Sequence, residues 1–262
     1  MEDILSRLPP FVLLATYAGL WTLEGFQAAR PNARKALRGR RNLAMSGFGL
    51  FIGAAAGSAL MGLAAFSERT HWGIAAIEPS SPLLAALAGV LLLDCVDYWR
   101  HRISHAAPLL WRLHRVHHSD PQMDVTTSLR SHPLEFALRP VLLGAAILVF
   151  GIPMLATLIY PVVQLPVLVF QHANIRLSPK LDSLLLCLIA TPAMHVVHHS
   201  RRPTETNSNY ATFLTIWDRL FGSLRPSKEP AAIGLDGFDD EASQKILGML
   251  AEPWRKRAGD RV

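Results

Sequence analysis

The chain has 262 residues, half of them hydrophobic and only 18% charged, with a formal net charge of +6. That is oily for a soluble protein of this length, which suffices for one large domain or two small ones. The basic residues border apolar blocks rather than line a domain, which argues against a nucleic-acid partner, and the two cysteines, Cys95 and Cys187, sit inside apolar stretches as reduced packing residues rather than a disulfide or metal pair.

The apolar blocks come in chain order. FVLLATYAGLW (11–21) reaches the length of a membrane span once its flanks are counted, over 10–28. RPNARKALRGRR (30–41) follows as a basic loop, with Arg30, Arg34, Lys35, Arg38, Arg40 and Arg41 and no acid. Residues 43–66 alone supply the roughly 20 apolar residues that a helix needs to cross a bilayer core of about 30 Å. PLLAALAGVLLLDCV (82–96) spans with its flank to 100, and 140–170, where Tyr160 is the one ionisable residue, suits a hairpin broken near Gly151 and Pro153. Buried helices of a large soluble core are a poor match to these lengths. The sequence predicts an all-α, polytopic membrane protein of about four transmembrane helices with a cytoplasmic histidine-rich helical cap.

Orientation follows from charge. A short, strongly basic loop stays on the cytoplasmic side. This places 67–82 outside and everything from His101 onward at or near the cytoplasmic face of the cell inner (plasma) membrane. Met1-Glu2-Asp3 is acidic where a secretory signal would be basic, so no such signal is expected. The polar stretch from Arg225 reads as a solvated tail with a short helix at 239–251.

Ten of the 11 histidines lie between 101 and 199. His71 stands apart, in the predicted external loop, and reads as a surface residue. HRISH gives His101 and His105; LHRVHHS gives His114, His117 and His118; MHVVHHS repeats that pattern with His195, His198 and His199. His172 in QHAN and His132 in RSHPLE lie between these boxes. Residues three and four apart share one helix face, so HxxxH and HxxHH each aim imidazoles at one point. Imidazole is a common ligand for zinc, iron, copper and nickel. One ion takes four to six ligands, so eight box histidines imply two ions close together.

Other metal chemistries fit less well. A zinc protease would show HExxH with its glutamate, bis-histidine haem needs two axial ligands rather than triplets, and a metal transporter would place its ligands in mid-membrane. A di-metal, oxygen-activating enzyme remains, with a non-catalytic metal-binding membrane protein as the rival from another class. Asp97, four residues before His101, is placed to accept the ring N–H that faces away from the metal, or alternatively to pair with Arg100 or Arg102. A structural pairing suffices for Asp94. His132 is open between ligand and ordinary hydrogen-bonded residue.

DCVDYWRHRISHAAPLLWRLHRVHHS, TSLRSHPLEF, FQHANIRLSP, HVVHHS and NSNYATFLTIWDRLFGS together resemble, in order and spacing, the fatty acid hydroxylase / sterol desaturase superfamily of membrane di-iron enzymes. The resemblance covers about 89–223. It implies a domain over 83–224 between an N-terminal membrane region (1–82) and the polar tail (225–262). It further implies two iron ions (Fe2+/Fe3+), with O2 and two electrons used to hydroxylate, desaturate or cleave a lipid taken from the bilayer; carotenoid hydroxylation is another outcome of such a centre. Carried over by position, the ligands and catalytic residues are His101, His105, His114, His117, His118, His195, His198 and His199, with His172 as a further ligand. Some members carry another histidine where this chain has Arg176, which leaves His132 as a candidate substitute. Asn209, Tyr210, Trp217 and Asp218 would shape the cap. No cytochrome b5 module is visible in the sequence, so the electron donor is expected to be separate, a cytochrome b5-like protein or a ferredoxin with its reductase.

Overall fold

A computed structural model describes residues 2–73, 81–226, 229–230 and 232–255. Residues 74–80 of the predicted external connection therefore lie outside the described residues. The long elements are α1 (Glu2–Gln27), α2 (Lys35–Thr70), α3 (Pro82–Ala106), α4 (Pro108–His118), α5 (Pro133–Phe150) and α6 (Met154–His172). Shorter helices follow, α7 (Pro179–Leu186), α8 (Pro192–His198), α9 (Pro203–Thr206), α10 (Ile216–Leu220) and α11 (Ile246–Ala251), with 3-10 turns at Val125–Leu129 and Glu252–Trp254. Among the described residues β pairing is confined to isolated bridges, such as Ala28 with Ile175.

Four helices are long and apolar enough to cross a membrane, namely Phe51–Thr70 of α2, then α3, α5 and α6. This is an integral membrane protein. The number matches expectation, but one member differs. The first block does form a helix, α1, yet charges and prolines at its ends dilute it below the others. Its Leu13, Tyr17, Leu20 and Trp21 pack against Val125, Val169, Ala173 and Ile175. The fourth span comes instead from the 140–170 hairpin, which extends into two full helices and turns at Gly151, whose φ of 66° suits glycine, and Pro153.

The spans alternate in direction. α2 and α5 begin at the end where α3 and α6 finish, and the histidines gather there. At the opposite end the Met154 N–H donates to Glu68 Oε1 at 2.8 Å, and Gly73 meets Gly151 so closely that a Cβ would lie 2.4 Å from the Gly151 nitrogen. Between the ends, Val90 and Leu93 of α3 pack with Leu143, Ala146 and Ile147 of α5 and Ala156 of α6. Phe51, Leu84 and Val141 are exposed on the outside, as a lipid-facing surface requires.

The basic stretch also takes part in the fold. Lys35–Arg41 form the first turns of α2 rather than a loop. Arg38 is buried, with Nε and one terminal nitrogen each 3.0 Å from an oxygen of Asp120 and the other terminal nitrogen 3.0 Å from Asp124. Burial pushes the Asp120 carboxyl up, but the guanidinium groups of Arg38 and Arg130 outweigh it and hold it at about 2. Asp120 follows the second histidine box by two residues, so this clamp ties α2 to that box.

The tail also differs from expectation. Instead of a solvated appendage it closes over the boxes. The Gly234 N–H donates to the His199 carbonyl, Gln244 Nε2 to the Ser119 carbonyl, and Arg115 to the carbonyls of Glu252 and Arg255. Met249 packs on Met45 and Val116. Buried main-chain carbonyls and the buried Arg115 need partners, and the tail provides them. The expected helix over 239–251 shortens to Ile246–Ala251 because the preceding residues serve these contacts.

Arg38→Ala should destabilise the cap by about 3–5 kcal/mol, because it strands two buried carboxylates. Arg34→Ala, at an exposed side chain, should cost no more than about 0.5 kcal/mol. Thermal midpoints of the two variants in detergent check this, and equal midpoints would contradict the clamp.

Candidate metal centre

Four segments carry the histidines. His101 and His105 are one turn apart at the end of α3; His114, His117 and His118 lie on α4; His172 ends α6; His195 and His198 lie on α8, with His199 directly after it. The structure gathers nine of them into two groups, each with its ligand nitrogens within 4.8 Å of one another. One group is His101, His105, His114, His118 and His198; the other is His117, His172, His195 and His199. Each could hold a metal ion. The boxes do not map one to one onto the groups, since α4 and α8 each supply both.

Hydrogen bonds fix the rings. His101 Nδ1 donates to the Tyr210 carbonyl at 2.7 Å and His198 Nδ1 to the Ser208 carbonyl at 2.6 Å. A carbonyl oxygen only accepts, so both rings carry their proton on Nδ1 and both Nε2 atoms are bare lone pairs. Those two Nε2 atoms stand 3.0 Å apart. The second group repeats the arrangement. His172 Nδ1 donates to the Leu168 carbonyl at 2.6 Å and His117 Nδ1 to the Arg130 carbonyl at 3.3 Å, while their Nε2 atoms are 3.1 Å apart.

Facing lone pairs repel unless a cation lies between them and the protein interior supplies the ligands. Protonation does not relieve the contact: burial, followed by neighbouring imidazoles, pushes His117, His118, His195 and His199 well below the usual histidine range. Burial takes His198 down to about 3. Several buried ring nitrogens, His105 Nε2, His118 Nδ1, His195 Nδ1 and both of His199, have no hydrogen-bond partner among the described residues. Two nitrogens bound at adjacent sites of one octahedral ion at about 2.1 Å would be about 3.0 Å apart. Neutral imidazoles in this arrangement fit a transition ion in each group.

The supports differ from those expected. His101 does not use Asp97. The Asp97 carboxylate accepts from Arg100 Nε at 2.7 Å, from Arg139 at 2.7–3.1 Å and from the Tyr160 hydroxyl at 3.1 Å. Helical spacing puts Asp97 on the right face, but α5 delivers Arg139 there, and a buried carboxylate is held most strongly by guanidinium groups. The pairing with Arg100 is therefore the one formed. Asp94 takes a structural pairing, from Trp217 Nε1 at 2.7 Å and the Leu214 N–H at 3.1 Å.

His132 lies outside both groups. It caps α5, accepting from the Leu134 N–H at Nδ1, while Nε2 donates to the Leu250 carbonyl. The residue of RSHPLE that reaches the centre is Glu135, whose Oε1 is 2.6 Å from His114 Nδ1. A carboxylate next to a ligating histidine orients the ring and raises its basicity. The sequence signal for Glu135 was its place three residues after a capping residue, on the face of α5 that turns inward. His71 is exposed at the far end of α2.

Asp218 acts at one remove. It accepts from the N–H groups of Tyr210 and Ala211 and from the Ser223 hydroxyl, fixing the segment whose Tyr210 carbonyl orients His101. Asn209, at φ 55°, makes the turn and donates to the Met194 carbonyl. Gln171, beside His172, is buried with neither amide atom paired among the described residues.

A helical membrane protein with a buried polyhistidine cluster able to hold metal is thus the class that fold and site define. Its family is evident from sequence as well: the fatty acid hydroxylase pattern matches residues 86–223, more than half the chain and all nine clustered histidines, and the chain belongs to that family. It is 32% identical over 157 residues to an alkylglycerol monooxygenase of Xenopus tropicalis, covering 55% of this chain and 31% of that protein. It is 28% identical over 171 residues to the ornithine lipid hydroxylase OlsE of Rhizobium tropici, covering 64% and 50%. It is 28% identical over 162 residues to a very-long-chain aldehyde decarbonylase of Arabidopsis thaliana, covering 56% and 24%. The chain spans half or less of the length of these relatives. No solved structure matches it.

Glu135→Gln should weaken metal binding or activity about 10–100-fold, as loss of such a partner does. His132→Ala should cost about 1 kcal/mol of stability, the scale of a lost helix cap, with metal retained. Metal analysis after gel filtration separates them; metal loss at His132→Ala equal to that at Glu135→Gln would contradict the assignment.

Proposed function

We propose that this chain is a membrane-bound non-haem di-iron oxygenase that uses O2 and two electrons to hydroxylate or desaturate a C–H bond of a lipid. The observation that carries this reading is, in each histidine group, a pair of facing Nε2 atoms left bare by carbonyl-bound Nδ1 atoms, with a further close Nε2 contact beside it at His114–His118 and at His172–His195. Two such pairs call for two cations. The family's oxygenases are iron-dependent, and relatives named monooxygenase and lipid hydroxylase support the reaction class.

Iron, when bound, supplies the oxidising power to take hydrogen from an unactivated carbon. The chain does the rest. Nine imidazoles hold the ions. Main-chain carbonyls at Leu168, Arg130, Ser208 and Tyr210 keep four of those rings in the ligating tautomer, and Glu135 does so for His114. Burial of the cluster keeps water from the reacting centre. The ends of α3 and α6 carry the centre next to the bilayer, so a membrane-soluble substrate enters from the lipid side.

Alkylglycerol monooxygenase similarity supports one outcome in particular. Hydroxylation of a carbon bonded to an ether oxygen gives a hemiacetal, which separates into an aldehyde and an alcohol. Ether-lipid cleavage is then the same C–H hydroxylation on a different substrate. Electrons come from a separate donor, cytochrome b5-like or a ferredoxin with its reductase.

The membrane is the cell inner membrane and the histidine end faces the cytoplasm, because Arg34 and Arg40 are exposed at that end and exposed cations in short loops stay inside. With Cys95 and Cys187 replaced by serine, a cysteine at His71 should react with a membrane-impermeant maleimide on intact cells and one at Arg34 should not. The reverse pattern would overturn the orientation.

Protein purified anaerobically and loaded with iron should hold close to two ions per chain and consume O2 when reduced in the presence of lipid extract. His117→Ala and His198→Ala, one from each group, should each bring lipid turnover to background. One ion or fewer in active protein, or turnover surviving both substitutions, would contradict the proposal.

A further inference from the structure

The short α11 and the 3-10 turn after it lie where two spans enter the apolar layer. Arg41 is the last charged residue before the uncharged block 43–66 of α2. His132, the cap of α5, donates to the Leu250 carbonyl, and its ring packs against Trp254 at 5.5 Å. At this level Leu43, Leu134, Leu247 and Trp254 are all more than half exposed, Leu247 at 80%. An exposed tryptophan and leucines at the depth where spans begin mark the membrane–water boundary.

A cavity of about 540 Å³ opens there, lined by Arg41, Lys245, Ile246, Leu247, Gly248 and Arg255. Its wall is close-built: a Cβ on Gly248 would sit 2.0 Å from the Ala242 carbonyl oxygen. Glu241 is shared between Arg34 and Arg41. Lys245 makes no ion pair among the described residues, and Arg255 reaches Ser243 Oγ at 3.3 Å. A lining that combines Arg41, Lys245 and Arg255 with Ile246 and Leu247 suits an amphipathic anion.

We infer that this cavity binds the headgroup of an anionic membrane phospholipid, with Arg41, Lys245 and Arg255 around the phosphate and the acyl chains along Leu247 and Trp254. The site is separate from the metal centre and does not depend on the proposed reaction. It would fasten the tail to the bilayer, and through Arg115 and Gln244 the tail is fastened to the second histidine box. With Arg41 already paired to Glu241, Lys245 and Arg255 supply the uncompensated charge, and cations at a membrane surface give on the order of tenfold or more preference over a zwitterionic lipid.

The test uses the full chain, stripped of lipid in detergent, titrated with short-chain phosphatidylglycerol, short-chain phosphatidylcholine or inorganic phosphate. Native mass spectrometry reads the bound lipid and the thermal midpoint reads its effect. Phosphatidylglycerol should bind one to one and raise the midpoint, with phosphatidylcholine at least tenfold weaker. Arg41→Gln combined with Lys245→Gln should lower phosphatidylglycerol affinity tenfold or more with metal content unchanged. Lys245→Gln alone, at an exposed side chain, should lower it severalfold and guards against misfolding of the double variant. Equal binding of the two lipids, or undiminished phosphatidylglycerol binding by the Lys245 variant, would overturn the inference. Inorganic phosphate binding as tightly as phosphatidylglycerol would make this a free-anion site and overturn the lipid.

Discussion

An imidazole that gives its Nδ1–H to a fixed carbonyl has lost the choice of where its other nitrogen points and whether that nitrogen carries a proton. Four rings of this centre are held so, by the carbonyls of Leu168, Arg130, Ser208 and Tyr210. The remainder of the cap follows from placing those four oxygens. Leu168 is supplied by the helix that carries His172, but the other three lie in irregular segments that need external anchoring. Asp218 and Asn209 anchor the segment with Tyr210. Arg130, itself buried, donates to the Val116 carbonyl and the Ser119 hydroxyl, so its own carbonyl is set against His117. The clamp of Arg38 on Asp120 and Asp124 fixes the loop between them.

This construction is costly without metal. Buried nitrogens with no partner each cost about 1–3 kcal/mol, and facing lone pairs add repulsion. On the proposed function, metal binding would offset these costs and link affinity to cap stability: whatever loosens the carbonyls would weaken the metal, and loss of metal would destabilise the cap. The bundle itself depends much less on the ions. Its helices meet through small residues, as where Gly89 of α3 lets Ala156 of α6 approach until a Cβ would be only 2.6 Å away.

The histidine spacing was legible because an α-helix converts it into a shared face without help from elsewhere. His101 with His105, and His114 with His118, are such pairs, and the structure places each pair in one group. The same reasoning could not divide His117 from His118, adjacent residues that belong to different groups, because the division depends on where α6 and α8 arrive. It also left Asp97 open between His101 and Arg100, and the structure forms the Arg100 pairing. Local spacing could not add Arg139, 42 residues away on α5, which joins Arg100 on that carboxylate. Glu135 and the orienting carbonyls were hidden for the same reason, since a carbonyl has no residue type. The apolar blocks located the spans, yet α1 has a span's length with end charges, of which Glu24 is taken up by Lys35 and the N–H groups of Val125 and Asn174. The tail reads as solvated from its polarity. Its polar atoms instead satisfy carbonyls of the boxes.

On the proposed function the nine histidines form two metal positions, one per group, rather than one site or a hydrogen-bonded cluster. Anomalous scattering at the iron edge from crystals of the iron-loaded protein tests it most directly. Two peaks are expected, one among His101, His105, His114, His118 and His198 and the other among His117, His172, His195 and His199. A single peak, or iron bound at Asp97 or His132, would contradict it.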